Sequence, residues 1–145
     1  MGAEERGDAL KLDRQLCFPL YACAREVVKR YKPELDPLGL TYTQYITLLV
    51  LWEEGQATSK RIGERLRLDS GTLTPVLKKL EEKGLVTRCR CADDERNLSV
   101  CLTGAGRALK ERAADIPAHM CGCVRLTPAE AGQLHDLLYK LLEEF

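Results

Sequence analysis

The sequence predicts a mainly α fold with a small β-hairpin, laid out as a winged helix-turn-helix. Three observations carry that expectation. Apolar residues recur three and four apart through most of the chain, the spacing of helices that bury one face. The period drops to two only after Gly84, in LVTRCRC and NLSVCLT, where β-branched residues also concentrate. A length of 145 residues is that of one ordinary domain and is enough to bury a core.

Leu12, Leu16, Leu20, Cys23, Val27 and Tyr31 form the stripe of a first helix with one buried face. Pro19 interrupts it. Proline lacks an N–H and crowds the carbonyl four residues earlier, which predicts either a kink near Gln15 or a helix that begins at Pro19. KPELDPLG, with two prolines and a glycine, reads as a loop. A second helix opens on a capping box of Thr41 and Gln44, turns Tyr45, Leu48, Leu49 and Trp52 inward, and stops at Gly55.

TSKRIGERLRL reads as a short helix with Ile62 and Leu66 inside and Lys60, Arg61, Arg65 and Arg67 in solvent. DSGTLTPVLKKLEEKG follows, capped by Asp69, with Leu73, Val76, Leu77 and Leu80 as its inner face and Gly84 at its end. The two form a helix-turn-helix, and the hairpin with ADDER at its tip comes next. LTGAGRALKERAADI is a helix stopped by Pro117. The last helix is opened by Thr127, Pro128 and Glu130, a second capping box. Its stripe of Leu134, Leu137, Leu138, Leu141 and Phe145 exceeds what a terminal helix needs to pack on one small domain. Periodicity leaves open whether a partner helix or the chain's own first helix covers it.

Lys plus Arg equals Asp plus Glu, 22 each, so no whole-molecule field draws the protein to nucleic acid or an anionic membrane. Charge is nevertheless clustered, with nine basic residues against four acidic ones between Ala57 and Ala92. No apolar run approaches the roughly 20 residues that span a bilayer, and MGAEERGDALK lacks the apolar core of a signal peptide. The expected location is the cytoplasm, with no membrane partner. Seven cysteines, an odd number, should then be mostly thiols. With two histidines, both near the C-terminus, and no convincing triad or paired-carboxylate site, neither an enzyme nor a cofactor is expected.

In the winged-helix arrangement the second helix of the pair enters the DNA major groove and the hairpin reaches a neighbouring minor groove. Ser70, Thr72, Thr74, Lys78 and Lys79 lie on the outer face of that helix, hydroxyls for base edges and phosphates, lysines for the backbone. Arg88 and Arg90 would add contacts from the hairpin. A rival use of the same strands is a soft-metal site from Cys89, Cys91 and Cys101. Structural zinc would want a fourth ligand and wider spacing, and only His119 and His135 remain elsewhere.

RLRLDSGTLTPVLKKLEEKGLVTR, the tip DDER and the following VCLTGAG resemble the MarR family of winged-helix repressors, and the likeness runs over nearly the whole chain. The resemblance implies one domain over 1–145, with a DNA-binding lobe at 41–103 and dimerisation helices at 8–33 and 104–145. It implies a homodimer on an inverted-repeat operator of double-stranded DNA, with Arg96 reaching the minor groove and Asp94 bracing the loop. LDRQLCFPLY, YKPELDPLGLTYTQY and LLVLWE are further similar to the organic-hydroperoxide-sensing, OhrR-type branch. That likeness implies a redox sensor at Cys17 and two tyrosines, Tyr31 and Tyr42, that hydrogen-bond to its sulfur. Tyr21 matches another tyrosine of the motif. A resolving cysteine, Cys121 or Cys123, would pair with the sensor of the other subunit. Where Pro19 stands the family usually has a small residue.

The chemistry behind this is that a peroxide is attacked by thiolate, whereas an ordinary cysteine, with pKa about 8.5, is mostly protonated at neutral pH. Phenol O–H groups donating to sulfur favour the anion. An apolar pocket of Phe18, Leu20 and Tyr45 would prefer an organic hydroperoxide to hydrogen peroxide. Attack gives a sulfenic acid, a second thiol turns it into a disulfide, and the operator is released. The alternative function is a repressor whose cleft takes a small aromatic ligand, with Cys17 idle, or one that answers a soft metal.

Overall fold

A computed structural model describes residues 7–90 and 98–145, so Cys91, Asp94 and Arg96 lie outside the described residues. The chain forms two compact units, Met1–Ala114 and Asp115–Phe145.

In the first unit a 3-10 turn, Leu12–Arg14, leads to Gln15, whose backbone is extended (φ −88°, ψ 117°). The Gln15 side chain donates to the carbonyls of Ala9 (2.6 Å) and Lys11 (3.0 Å), holding the break. Helix α1 then spans Cys17–Leu35. Pro19 is its third residue, inside the first turn, where N–H groups have no acceptor within the helix and proline costs no hydrogen bond. The helix therefore starts two residues before the proline, and Cys17 becomes its first residue.

At the other end the structure corrects the expected loop. Helix α1 continues through Pro33, and the turn is deferred to a 3-10 segment, Asp36–Leu38, followed by Gly39 at φ 67°. Pro33 removes one backbone bond in an exposed last turn. Burial of Leu35 (2% exposed) and packing of Tyr31 on Tyr42 outweigh that loss. The stripe expected to be buried is exposed within this unit: Leu35 is the buried residue of α1, while Leu12, Leu16, Leu20 and Val27 are exposed.

Helix α2, Tyr42–Glu54, carries both arms of the Thr41–Gln44 capping box. Strand β1 (Gln56–Thr58), α3 (Ser59–Leu66), α4 (Ser70–Glu82), β2 (Val86–Arg90), β3 (Leu98–Leu102) and α5 (Gly104–Ala113) complete the unit. The sheet is antiparallel in the order β1-β3-β2, with Ala57 opposite Val100 and Arg88 opposite Val100 on its other side. Strand β1 was not expected, because three residues are too few to show a period. Thr58 and Asp69 cap α3 and α4, accepting from Arg61 N (3.0 Å) and Thr72 N (2.7 Å).

Leu48, Leu51, Ile62, Leu73, Leu77, Leu80, Val86, Val100 and Leu102 form the core of this unit. Each fully buried aliphatic side chain stabilises the fold by about 1.5–3 kcal/mol. Two glycines permit close approaches within it. A Cβ on Gly63 would stand 2.8 Å from the Leu68 carbonyl oxygen, and one on Gly106 would run into the backbone at Leu85. The Gly106 carbonyl accepts from Trp52 Nε1 at 2.9 Å, joining α2 to α5.

In the second unit α6 spans Ile116–Gly122 and α7 spans Pro128–Glu143. The helix before them ends at Ala113, and Pro117 opens α6 instead of simply stopping its predecessor, since proline fits the first turn of a helix. Thr127 and Glu130 cap α7 reciprocally: Thr127 N donates to Glu130 Oε2 (2.8 Å) and Glu130 N to Thr127 Oγ1 (3.2 Å). Those hydrogen bonds hold the Glu130 carboxyl below its ordinary range. No residue of α7 is buried, and Leu134, Leu137, Leu138, Leu141 and Phe145 are exposed.

Candidate functional site

The helix-turn-helix is built by a tight corner. The Gly63 carbonyl accepts from the N–H groups of both Arg67 and Leu68, and Arg67 takes the left-handed conformation (φ 53°) that ends α3. Helix α4 leaves this corner with Ser70, Thr72, Thr74, Lys78 and Lys79 all exposed, while Leu73, Leu77 and Leu80 face the core. Ser70, Thr74 and Lys78 recur every four residues and so share one face. A groove between α3 and α4 runs along that face, lined by Ser59, Lys60, Glu64, Arg67, Ser70 and Thr74 among others. Hydrogen bonds from the backbone and side chain of Thr72 hold the Asp69 carboxyl below its ordinary range, so the cap stays ionised.

The basic cluster divides into two sets. Arg61 and Arg65 are engaged by the carboxylates at the end of α2. Arg61 bonds to Glu54 (Nη2 to Oε1, 3.0 Å), and Arg65 reaches both Glu54 and Glu53, the latter at 2.8 Å. Glu54 is held below its ordinary carboxylate range chiefly by the Arg61 hydrogen bond. Lys79 pairs with Glu82 (3.1 Å), and Arg88 donates to Ser59 Oγ (3.1 Å) with Glu81 3.8 Å away. Among the described residues Lys60, Arg67 and Lys78 make no ion pair; Lys60 and Arg67 line the groove, and Lys78 lies one turn beyond Thr74 on the same face of α4. Arg90 is exposed at the end of β2.

Lys83 behaves differently from the other cations. Its ammonium group donates to the Gly39 carbonyl and to Gln44 Oε1 (2.8 Å), tying the C-terminal end of α4 to the capping box that begins α2. Sequence reasoning counted it only as charge, and a contact spanning 39 residues leaves no periodic trace.

Tyr42, the first residue of α2, belongs to an aromatic cluster. Its ring centroid is 4.9 Å from that of Tyr31 and 6.5 Å from that of Tyr45, which in turn meets Trp52 edge-on at 6.4 Å. Burial pushes the Tyr42 phenol above its ordinary pKa, and burial followed by the neighbouring Tyr42 does the same for Tyr45. Both therefore stay O–H donors throughout the neutral range.

Cys17 is an exposed thiol at the opposite end of α1, flanked by exposed Phe18 and Leu20. Tyr31 is fourteen residues along the same helix, about 21 Å at the 1.5 Å rise of an α-helix. The fold thus brings Tyr31 and Tyr42 to each other and not to the sulfur of their own chain. The expected apolar pocket is split likewise, with Phe18 and Leu20 beside Cys17 and Tyr45 in the cluster. Tyr21 is exposed beneath the Arg25 guanidinium, 5.3 Å from the ring centroid. In the second unit Cys121 belongs to α6 and Cys123 is its C-terminal cap; both are exposed thiols.

One pair departs from the expectation of thiols. Cys89 on β2 and Cys101 on β3 are joined by a disulfide, with Cα atoms 6.1 Å apart. Two of the three sulfurs of the rival metal site are thereby taken up by each other. Among the described residues no group of three or more histidine, cysteine or carboxylate side chains is placed to hold a metal ion.

Comparison with known proteins places this geometry. The profile of a family described as transcriptional regulator SarA/Rot matches residues 29–113. An organic hydroperoxide resistance transcriptional regulator of Bacillus subtilis (strain 168) is 51% identical over 140 residues, covering 97% of this chain and 95% of that protein. Among solved structures, reduced AbfR bound to DNA matches with a TM-score of 0.77 at 34% identity, over 98% of this chain and 99% of that one. Disulfide-formed AbfR matches with a TM-score of 0.65 at 35% identity, over 97% and 99%. AbfR is a Staphylococcus epidermidis protein.

Proposed function

The chain belongs to the SarA/Rot family of transcriptional regulators and to the organic-hydroperoxide branch of the MarR-type winged-helix proteins, and from that premise we propose that it is a repressor switched off by oxidation of Cys17. It acts by binding DNA, not by catalysis, and it works in the cytoplasm. The observation that carries the DNA-binding half is the exposed face of α4, where Ser70 and Thr74 share the groove with the unpaired Lys60 and Arg67 and Lys78 follows on the same face. Hydroxyls and cations on one helix face suit a major groove, Arg90 ends strand β2 of the wing that follows, and Asp94 and Arg96 would add the contacts that the family resemblance implies.

The sensing half rests on the separation of sulfur and phenols along α1. Because Cys17 lies some 21 Å from Tyr31 in its own chain, the phenols that meet its sulfur come from a second copy whose α1 runs the opposite way. The uncovered stripes of α1 and α7 supply the apolar surface for that homodimer, with 8–33 and 104–145 as its dimerisation segments and 41–103 as the DNA-binding lobe. At this junction Tyr31 and Tyr42 donate to the sulfur, and the unpaired N–H groups of the first turn of α1 favour negative charge beside them. Phe18 and Leu20 of one copy and Tyr45 of the other would enclose the alkyl part of an organic hydroperoxide.

Thiolate attack on the peroxide forms a sulfenic acid at Cys17 and releases an alcohol; a second thiol, Cys121 or Cys123, displaces water from it and forms a disulfide. Loss of the phenol contacts moves Tyr42 and the start of α2. The Lys83 link carries that movement to the end of α4. The paired α4 helices then no longer match the inverted repeat, and genes for hydroperoxide removal are expressed. The test is operator binding by wild type and by Cys17→Ser, before and after a stoichiometric dose of cumene hydroperoxide. Wild type releases DNA and gains an adduct or intersubunit disulfide at Cys17, while Cys17→Ser stays bound. Release by Cys17→Ser would overturn the sensor assignment.

A further inference from the structure

We infer that the wing strands carry a second oxidisable site, in which Cys89 and Cys101 pass between a dithiol and an intrachain disulfide independently of Cys17. The pair is a product of register. Cys101 on the central strand stands opposite Thr87 on β2, and Cys89 stands opposite Ser99, so the two cysteines are diagonal neighbours on one sheet face. Their Cα separation of 6.1 Å lies within the span a disulfide bridges without moving the backbone. Both are partly exposed, so an oxidant and a small thiol can reach them. On the other flank, Gln56 of β1 holds its carboxamide oxygen 3.3 Å from Cys101 Sγ and 3.9 Å from Cys89 Sγ, an acceptor for either thiol when the pair is reduced. Neither residue belongs to the α1–α2 cluster that the sensor uses.

In the compartment where a DNA-binding regulator works, a disulfide is typically transient and regulatory. The chemistry needs one organic hydroperoxide per pair. One sulfur attacks the terminal peroxide oxygen, the O–O bond breaks, and an alcohol leaves. The second sulfur then displaces the hydroxyl from the resulting sulfenic acid as water, forming the S–S bond. Two thiols are oxidised and one peroxide is reduced. A small cellular thiol reverses the step through a mixed disulfide.

The consequence follows from topology. The bond joins β2 to β3 twelve residues apart and so ties together the two described strands of the wing, the first of which ends in Arg90. A binding element ordered in advance loses less entropy on meeting DNA. The linked wing therefore binds operator more tightly than the dithiol, in the opposite sense to oxidation of Cys17.

This part of the inference uses the DNA-binding reading above, but the bond itself does not. The experiment takes the full-length Cys17→Ser protein, fully reduced and then treated with cumene hydroperoxide, and maps cysteine linkages by peptide mass after alkylation. Operator affinity is measured on the same samples and on Cys17→Ser carrying Cys89→Ser and Cys101→Ser. The expected result is a Cys89–Cys101 linked peptide that excess glutathione reopens, with affinity about fivefold higher in the linked form and no redox response in the triple variant. Cysteines 89 and 101 still alkylated after oxidation, or linked elsewhere, would overturn the site whatever becomes of the Cys17 assignment. A linked pair that glutathione cannot reopen would make it a permanent staple, and unchanged affinity would sever it from DNA binding.

Discussion

Replacing Gly63 with alanine sets two opposed effects of known size against each other. Gly63 lies inside α3, where alanine is the better helix former by about 0.8–1.0 kcal/mol. Propensity alone therefore predicts a more stable protein. The added methyl carbon would stand 2.8 Å from the Leu68 carbonyl oxygen and 3.7 Å from Leu73 Cδ2. Its neighbour is backbone, fixed by the hydrogen bond from Leu68 N to the Gly63 carbonyl (3.0 Å), so it cannot turn aside as a flexible side chain would. Overpacking of this kind costs about 1–3 kcal/mol. The clash wins by about 1 kcal/mol, which for a chain of this length lowers Tm by about 3–5 °C. Thermal unfolding followed by circular dichroism, at one protein concentration for both forms, measures it. Because the strain is released by shifting α4 relative to α3, operator affinity should fall as well. A Tm equal to or above that of wild type would refute the packing argument. A lowered Tm with unchanged affinity would refute the claim that this corner sets the DNA-binding geometry.

Two further outcomes follow from the same geometry. Lys78→Ala should weaken operator and non-specific DNA alike, and should reduce the slope of log affinity against log salt by about one, as removal of one phosphate contact does. Lys79→Ala, which loses a lysine already paired with Glu82, should change that slope less; fluorescence anisotropy over a salt series separates them. Tyr42→Phe keeps the tilted ring contact with Tyr31 but loses the phenol donor. One charge-assisted hydrogen bond is worth at least about 1.5 kcal/mol, so oxidation of Cys17 by cumene hydroperoxide should slow about tenfold or more in stopped-flow thiol assays. An unchanged rate would remove Tyr42 from the sensor.

Much of this protein is legible in its sequence, because its governing signals are local. The Thr41–Gln44 and Thr127–Glu130 boxes, the Asp69 cap and the stop at Gly55 depend on residues three or four apart, and the structure forms each of them. The change of period after Gly84 located β2 and β3 for the same reason. Short-range rules mislead where distant packing outweighs them. Pro33 reads as a loop residue, yet burial of Leu35 and the Tyr31–Tyr42 contact carry α1 past it. Pro19 reads as an interruption and instead falls where a helix lacks hydrogen bonds to lose.

What tertiary structure alone decided is which distant residues meet. By itself the sequence determined the helix-turn-helix and hairpin, the exposed hydroxyl and lysine face of α4, and the kinds of residue on hand for peroxide chemistry. Periodicity carries no information across long loops or between strands. Only the fold could therefore show that Arg61 and Arg65 are consumed by Glu53 and Glu54, or that Lys83 joins α4 to the start of α2. The expected hairpin already put Cys89 and Cys101 on partner strands, but only the register showed them within bonding reach of each other, and only the fold packed Tyr31 with Tyr42 about a helix length from Cys17. The physical reason is common to all of them: each contact costs loop-closure entropy that no local preference repays, and it exists because burial elsewhere in the unit has already brought the chain together.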